Sequence, residues 1–178
     1  MRMYFSIIFL LFTTSTLAGP VLDIEFNGSQ LLLGTFEGTK SSSEFYSYGS
    51  PNGASANPRY PDTGELIALQ ADTLQIFSYL ETDTNILSLG FILEKYQGSG
   101  GGTFQTQATW SDPARVSLLD DPGETGSNIT DTSRDFNFTW VNCCTDGFVI
   151  SGFDPDDMFL DLKNTTGSDL TNVVFLQQ

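Results

Sequence analysis

Alternation with a period of two runs through most of this chain, and it restricts the backbone to strands whose two faces meet different surroundings. From Thr103 to Trp110, Phe104, Thr106, Ala108 and Trp110 fall on one face, and Thr103, Gln105, Gln107 and Thr109 on the other. Phe136, Phe138 and Trp140 alternate with Asn137 and Thr139, and Leu87, Leu89, Phe91 and Leu93 alternate with Ser88, Gly90, Ile92 and Glu94. These patterns predict half-buried strands. Shorter stretches read the same way at Val21 to Phe26, Gln30 to Phe36, Glu44 to Tyr48, Arg115 to Leu119, Gly147 to Phe153, Met158 to Leu162 and Asn172 to Leu176. Turn formers separate them, and Thr82 to Asn85 looks like a hairpin turn between Thr73–Glu81 and Ile86–Lys95. Many short strands at regular spacing point to an all-β fold, an antiparallel two-sheet β-sandwich of jelly-roll or Ig-like type.

One region resists this scheme. Asp62-Thr63-Gly64-Glu65 has the spacing of a helix capping box, and Leu66, Leu69, Leu74, Phe77 and Leu80 would line one helical face. Ala71-Asp72-Thr73 interrupts that run and Leu74-Gln75-Ile76 reads as strand, so strand is preferred, with one short helix around 65–80 as the alternative. Gly49 to Asp62, rich in Gly, Pro, Ser and Asn, reads as one long surface loop. No repeat or linker divides the chain, and 178 residues suffice to bury the core of a single domain.

The first eighteen residues follow a different logic. Arg2, the apolar run Tyr4 to Phe12, a polar stretch Thr13 to Thr16 and then Leu17-Ala18-Gly19 have the layout of a secretory signal peptide cleaved after Ala18. Residues 1–18 are therefore expected to be a leader and 19–178 a secreted, extracellular domain. The apolar run is too short for the roughly 20 residues that a bilayer core requires, so no membrane span is expected. Beyond the leader stand 22 acids against 6 bases, a formal charge of −16. The bases are scattered singly, which makes nucleic acid an unexpected partner, since a phosphate backbone is bound by clustered lysine and arginine. There is no histidine. Ser-His-Asp and Cys-His catalysis and histidine-ligated metals fall away with it.

Export gives meaning to two further features. Sequons at Asn27, Asn128, Asn137 and Asn164 would accept N-glycans in a host that glycosylates secreted proteins. Cys143 and Cys144 are adjacent, and a bridge between them needs a bent turn, because neighbouring Cα atoms lie about 3.8 Å apart where relaxed disulfides prefer about 4.4–6.8 Å. The following Thr145-Asp146-Gly147 could supply that turn. A vicinal disulfide is the preferred reading, with two thiols and a bridge between chains as alternatives.

Acidic loops form the other constellation. Asp120-Asp121-Pro122-Gly123-Glu124 follows one strand, Asp154-Pro155-Asp156-Asp157 another, and Asp146 lies beside the cysteines. Calcium takes six to eight oxygen ligands, which β-sandwiches can gather from loops at one end, so Asp120, Asp121, Glu124, Asp154, Asp156 and Asp157 are the metal-ligand candidates. Solvated turns are the plainer reading, because Asp favours turns. Tyr46, Tyr48 and Tyr60, near the polar loop, are surface candidates for stacking on sugar and, with Asp146, make the expected ligand site; Trp110 and Trp140 read as core. The glycine-rich Gly98 to Gly102 lacks the Lys-Ser/Thr of a phosphate cradle and reads as a hairpin loop. Glu65 and Glu94 are a conceivable carboxylate pair for glycoside hydrolysis, with nothing to bring them together.

The sequence thus leads to an acidic secreted module, more a binder than an enzyme, expected to recognise carbohydrate or an extracellular surface with calcium as a helper. Two alternatives stay open: a matrix or filament subunit that self-associates through strand edges, and a small glycoside hydrolase of the same architecture.

Overall fold

The computed structural model describes residues 5–7, 21–26, 29–49, 55–95, 102–121, 123–140, 144–154, 158–164 and 172–177. In chain order the elements are β1 (Phe5–Ile7), β2 (Val21–Phe26), β3 (Ser29–Gly34), β4 (Phe36–Gly38), α1 (Ser42–Tyr46), β5 (Thr73–Glu81) and β6 (Ile86–Leu93). There follow β7 (Gly102–Trp110), β8 (Arg115–Leu119), β9 (Thr125–Ile129), β10 (Ser133–Trp140), β11 (Asp146–Phe153), β12 (Leu160–Asn164) and β13 (Asn172–Phe175). The fold is all-β and sandwich-like. No helix among the described residues is long and apolar enough to cross a membrane.

A four-stranded antiparallel sheet, ordered β12-β7-β10-β9, faces a larger sheet ordered β13-β5-β6-β11-β8. The apolar faces of the alternating strands meet between them: Phe104, Ala108, Trp110, Phe136 and Phe138 from one sheet pack with Leu74, Ile76, Leu87, Leu89, Phe91, Phe148 and Ile150 from the other. Phe148 stacks on Phe136 with ring centroids 4.0 Å apart, and its other neighbours are Phe91 at 4.5 Å and Phe138 at 5.7 Å. Trp110 is core as expected, its indole N–H donating to the Ala114 carbonyl at 2.8 Å. A smaller antiparallel sheet, β1-β2-β3, completes the strands, with β1 inside the stretch read as leader.

The larger sheet departs from the antiparallel expectation. Both β4 and β13 pair with β5 in parallel, β4 alongside Tyr79–Glu81 and β13 alongside Thr73–Ile76. Parallel neighbours need a crossover instead of a hairpin. The crossover from β4 to β5, residues 39–72, carries α1 and lies over the outer face of the sheet, where Phe45, Tyr46, Ala56 and Ile67 bury Phe77, Tyr79, Ile92 and Val149. Strands expected to be half-exposed are therefore buried on both sides: Ser88, Gly90, Ile92 and Glu94 are all out of solvent. Gly90 is needed there, since a Cβ would fall inside the Phe77 ring. Ser88 remains satisfied by donating to Ser151 Oγ (2.9 Å), which also bonds Ser42 of α1 (2.8 Å) and Ser117 (2.7 Å).

Three local expectations need correction. Glu44 to Tyr48 is not a strand: α1 occupies Ser42–Tyr46 because Ser41 and Glu44 form a reciprocal capping box, and the helix stops at Ser47 in a left-handed conformation. The short helix thus stands at 42–46 and not around 65–80. The similarly spaced Asp62 to Glu65 instead makes a turn, with Gly64 N–H donating to the Tyr60 carbonyl at 2.8 Å. The polar stretch Gly49 to Asp62 is only partly surface, because Ser55 to Pro58 are buried, held by Ala56 N–H on Thr145 Oγ1 (2.6 Å) and Asn57 N–H on the Tyr46 carbonyl (3.1 Å). The hairpin at Thr82 to Asn85 pairs β5 with β6 as expected.

Candidate functional site

Carboxyls crowded at a turn repel one another, so a fold that gathers them must supply protons, donors or a cation. β8 ends at Leu119, and the chain turns through Asp120 and Asp121 to Glu124 before entering β9. That turn is pinned by backbone bonds from Asp120 N–H to the Gly147 carbonyl (3.1 Å), Glu124 N–H to the Asp121 carbonyl (3.1 Å) and Asn137 N–H to the Glu124 carbonyl (3.0 Å). The first of these ties it to the start of β11, where Asp146 stands. One carboxylate oxygen from each of Asp121, Glu124 and Asp146 lies within 4.8 Å of the others. Behind them, the Tyr46 hydroxyl donates to Asp120 Oδ2 at 2.8 Å. Gly147 makes this approach feasible: a Cβ there would sit 2.5 Å from the Tyr46 hydroxyl oxygen and collide with the Phe91 carbonyl.

The electrostatics reflect the crowding. Burial carries the Asp120 carboxyl up to about 8, opposed by the Tyr46 hydrogen bond and aided by Asp146, Asp121 and Glu124. Burial and then the charge of Asp146 raise Glu124 to about 7, although the Thr139 N–H donates to it at 3.3 Å. Asp146 rises to about 6, through burial first and Asp121 second. Tyr48 is pushed up to about 12 by burial and then by the same acids, and Tyr46, buried above Asp120, is raised well beyond the usual phenol range. Asp120 and Asp146 are only 5% and 3% exposed, and the buried oxygens Asp120 Oδ1, Glu124 Oε2 and Asp146 Oδ2 have no hydrogen-bond partner among the described residues. Ligand oxygens of one calcium ion lie no further apart than about 4.6–5.2 Å, twice its usual bond length, so three oxygens within 4.8 Å of one another could share a single cation.

The candidates divide accordingly. Asp120, Asp121, Glu124 and Asp146 come together, and Tyr46 and Tyr48 stand over them. Tyr46 is a buried hydrogen-bond donor and not the surface ring its neighbourhood suggested. Asp154 is excluded from the group: it follows the far end of β11, roughly 25 Å from Asp146 at about 3.3 Å per strand residue. Asp156 and Asp157 lie outside the described residues, as does Cys143, and with it any vicinal pairing. Cys144 is half-buried two residues before Asp146. Asn137 is exposed on β10; Asn27 and the side chains of Asn128 and Asn164 lie outside the described residues.

Tyr60 belongs to a second feature, a cleft of about 150 Å³ between α1, the end of β4 and the 57–64 turn, lined among others by Lys40, Glu44, Phe45, Arg59, Tyr60 and Tyr79. Glu65 is exposed, whereas Glu94 is buried and accepts from Asp72 N–H at 2.5 Å; neither lines this cleft. Sequence reasoning missed both the Tyr46–Asp120 bond and the cleft. No local spacing signals either, because Tyr46 and Asp120 stand 74 residues apart and the cleft gathers Lys40, Arg59 and Tyr79 from separate segments. No family model, curated protein or solved structure matches the chain.

Proposed function

We propose that the protein is a secreted binding module that recognises carbohydrate on an extracellular surface, with a calcium ion held by Asp121, Glu124 and Asp146 and supported by Asp120. The observation that carries the ion is the approach of one carboxylate oxygen each from Asp121, Glu124 and Asp146, drawn from two separate chain segments, beside buried oxygens of Asp120, Glu124 and Asp146 that lack partners among the described residues. Leaving such oxygens without partners is costly, and a divalent cation ligated by Asp121, Glu124 and Asp146 would offset that cost at this turn. Bound there, it would clamp the β8–β9 turn to the start of β11, just after the cysteine pair. Export rests on the leader-like first eighteen residues, and the carbohydrate reading on the half-buried Tyr48 and Tyr60 beside polar loops in an acidic, extracellular setting.

The test is a glycan array probed with the chain from Gly19 onward, in millimolar calcium and in chelator. Binding to a defined set of glycans is expected in calcium, about tenfold weaker or more without it, a difference worth about 1.4 kcal/mol. Silence across the array in calcium would contradict the carbohydrate reading. It would shift weight to self-association, which one observation favours: Ile129 on the edge strand β9 is 56% exposed.

A further inference from the structure

Two of the six bases outside the leader-like segment, Lys40 and Arg59, line the same cleft. With acids in such excess, both would be expected to sit in ion pairs. Among the described residues, however, the recorded ion pair joins Arg115 to Asp112 at 2.7 Å and involves neither of them. Arg59 gives one guanidinium N–H to the Gly64 carbonyl at 2.9 Å, which fixes its head at the rim and commits one of five donors. The backbone carrying Lys40 is fixed too, because the Tyr79 hydroxyl donates to the Lys40 carbonyl at 2.9 Å. The one acid in the lining, Glu44, is held chiefly by the helix cap, its Oε2 accepting from Ser41 N–H at 3.0 Å and from Ser41 Oγ at 2.9 Å, and the charge of Lys40 is the weakest influence on it.

Aromatic rings supply the apolar part. Phe45 and Tyr79 stack at 4.5 Å beneath the cleft, and the half-buried Tyr60 forms a wall, 5.9 Å from Phe36. A cavity of about 150 Å³ is of the size that accepts a single six-membered ring. The large negative charge elsewhere does not forbid an anion here, since charges beyond about 8 Å are largely screened at physiological salt and the local pair of cations decides.

We propose that this cleft binds an acidic sugar residue of an extracellular glycan, a pyranose bearing a carboxylate, with the carboxylate between Lys40 and Arg59 and the apolar ring face against Tyr60. Guanidinium matches carboxylate geometry, and an aromatic face matches the C–H face of a sugar. The sugar identity rests on the carbohydrate reading above; the anion site does not.

The experiment titrates glucuronate, glucose and acetate into the secreted chain by calorimetry and two-dimensional NMR, alongside Arg59→Gln and Lys40→Gln, with melting temperatures checking the fold. Glucuronate is expected to bind saturably and to shift resonances of the cleft. Its affinity should fall about tenfold or more in each variant, and glucose and acetate should bind at least about tenfold more weakly than glucuronate. Absence of glucuronate binding, or binding unchanged in both variants, overturns the proposal. Acetate equal to glucuronate overturns the sugar. An array positive only for neutral glycans, with no glucuronate binding, fails the cleft and leaves the module reading intact; a silent array with glucuronate bound at the cleft does the reverse.

Discussion

Freed of divalent ions, the protein is expected to melt at a higher temperature at pH 5 than at pH 8, and calcium is expected to remove most of that difference. In the folded chain Asp120, Glu124 and Asp146 keep their protons up to about 8, 7 and 6, whereas their ordinary values are 3.8, 4.5 and 3.8. Between those limits the native state holds more protons than the unfolded one, so stability falls as pH rises. The contribution is complete below the ordinary carboxylate range and is lost as pH climbs toward 8. Asp120 dominates, and three pH units at about 1.4 kcal/mol each put its share on the order of 4 kcal/mol between pH 5 and pH 8. Glu124 is half exposed and adds less, because water screens it. Glu44, held low by its bonds to Ser41, contributes equally at both pH values. For a domain of this size the difference amounts to about 10 °C, readable by calorimetry or circular dichroism. Asp120→Asn is expected to flatten the profile. Equal melting temperatures at pH 5 and pH 8 without calcium would contradict the crowding described here.

Phe148→Ala is expected to cost about 3–5 kcal/mol, a large part of the 5–15 kcal/mol that holds a typical domain together. Phe148 is fully buried on β11, an interior strand of the larger sheet, and is the ring through which that sheet meets Phe136 and Phe138 of the other. Truncation removes the apolar area, leaves a cavity between rigid sheets that have little freedom to collapse, and ends three near-parallel ring contacts. Urea unfolding at pH 5, where Asp120, Glu124 and Asp146 hold their protons, measures this cost separately from those acids. A loss under about 1 kcal/mol would mean that the two sheets do not meet through this ring.

The strands that face the inter-sheet core were legible because their side chains record it. At 103–110 and 136–140 every second residue is apolar or small, and the faces fall where the alternation places them. What escaped is whatever depends on a partner distant in the chain. Ser88, Gly90, Ile92 and Glu94 look like an outer face, and only the crossover at 39–72 covers them. α1 spans five residues, too few for a helical period to show, and the Ser41/Glu44 cap competes with an equally spaced Asp62/Glu65 pair that forms a turn. β9, with the sequence Thr-Gly-Ser-Asn-Ile, has no alternation and is a strand because β10 offers it an edge. At the site, the acidic turn at 120–124 is plain in the sequence. The arrival of Asp146 depends on the register that sets Phe148 opposite Leu119, and nothing local encodes that register.

Calorimetric titration of calcium into the ion-free chain from Gly19 onward at pH 8, beside Asp146→Asn, probes the cation site most directly. One saturable site per chain is predicted, with affinity reduced about tenfold or more in the variant. Heats no larger than dilution, or binding that Asp146→Asn leaves unchanged, would contradict the account.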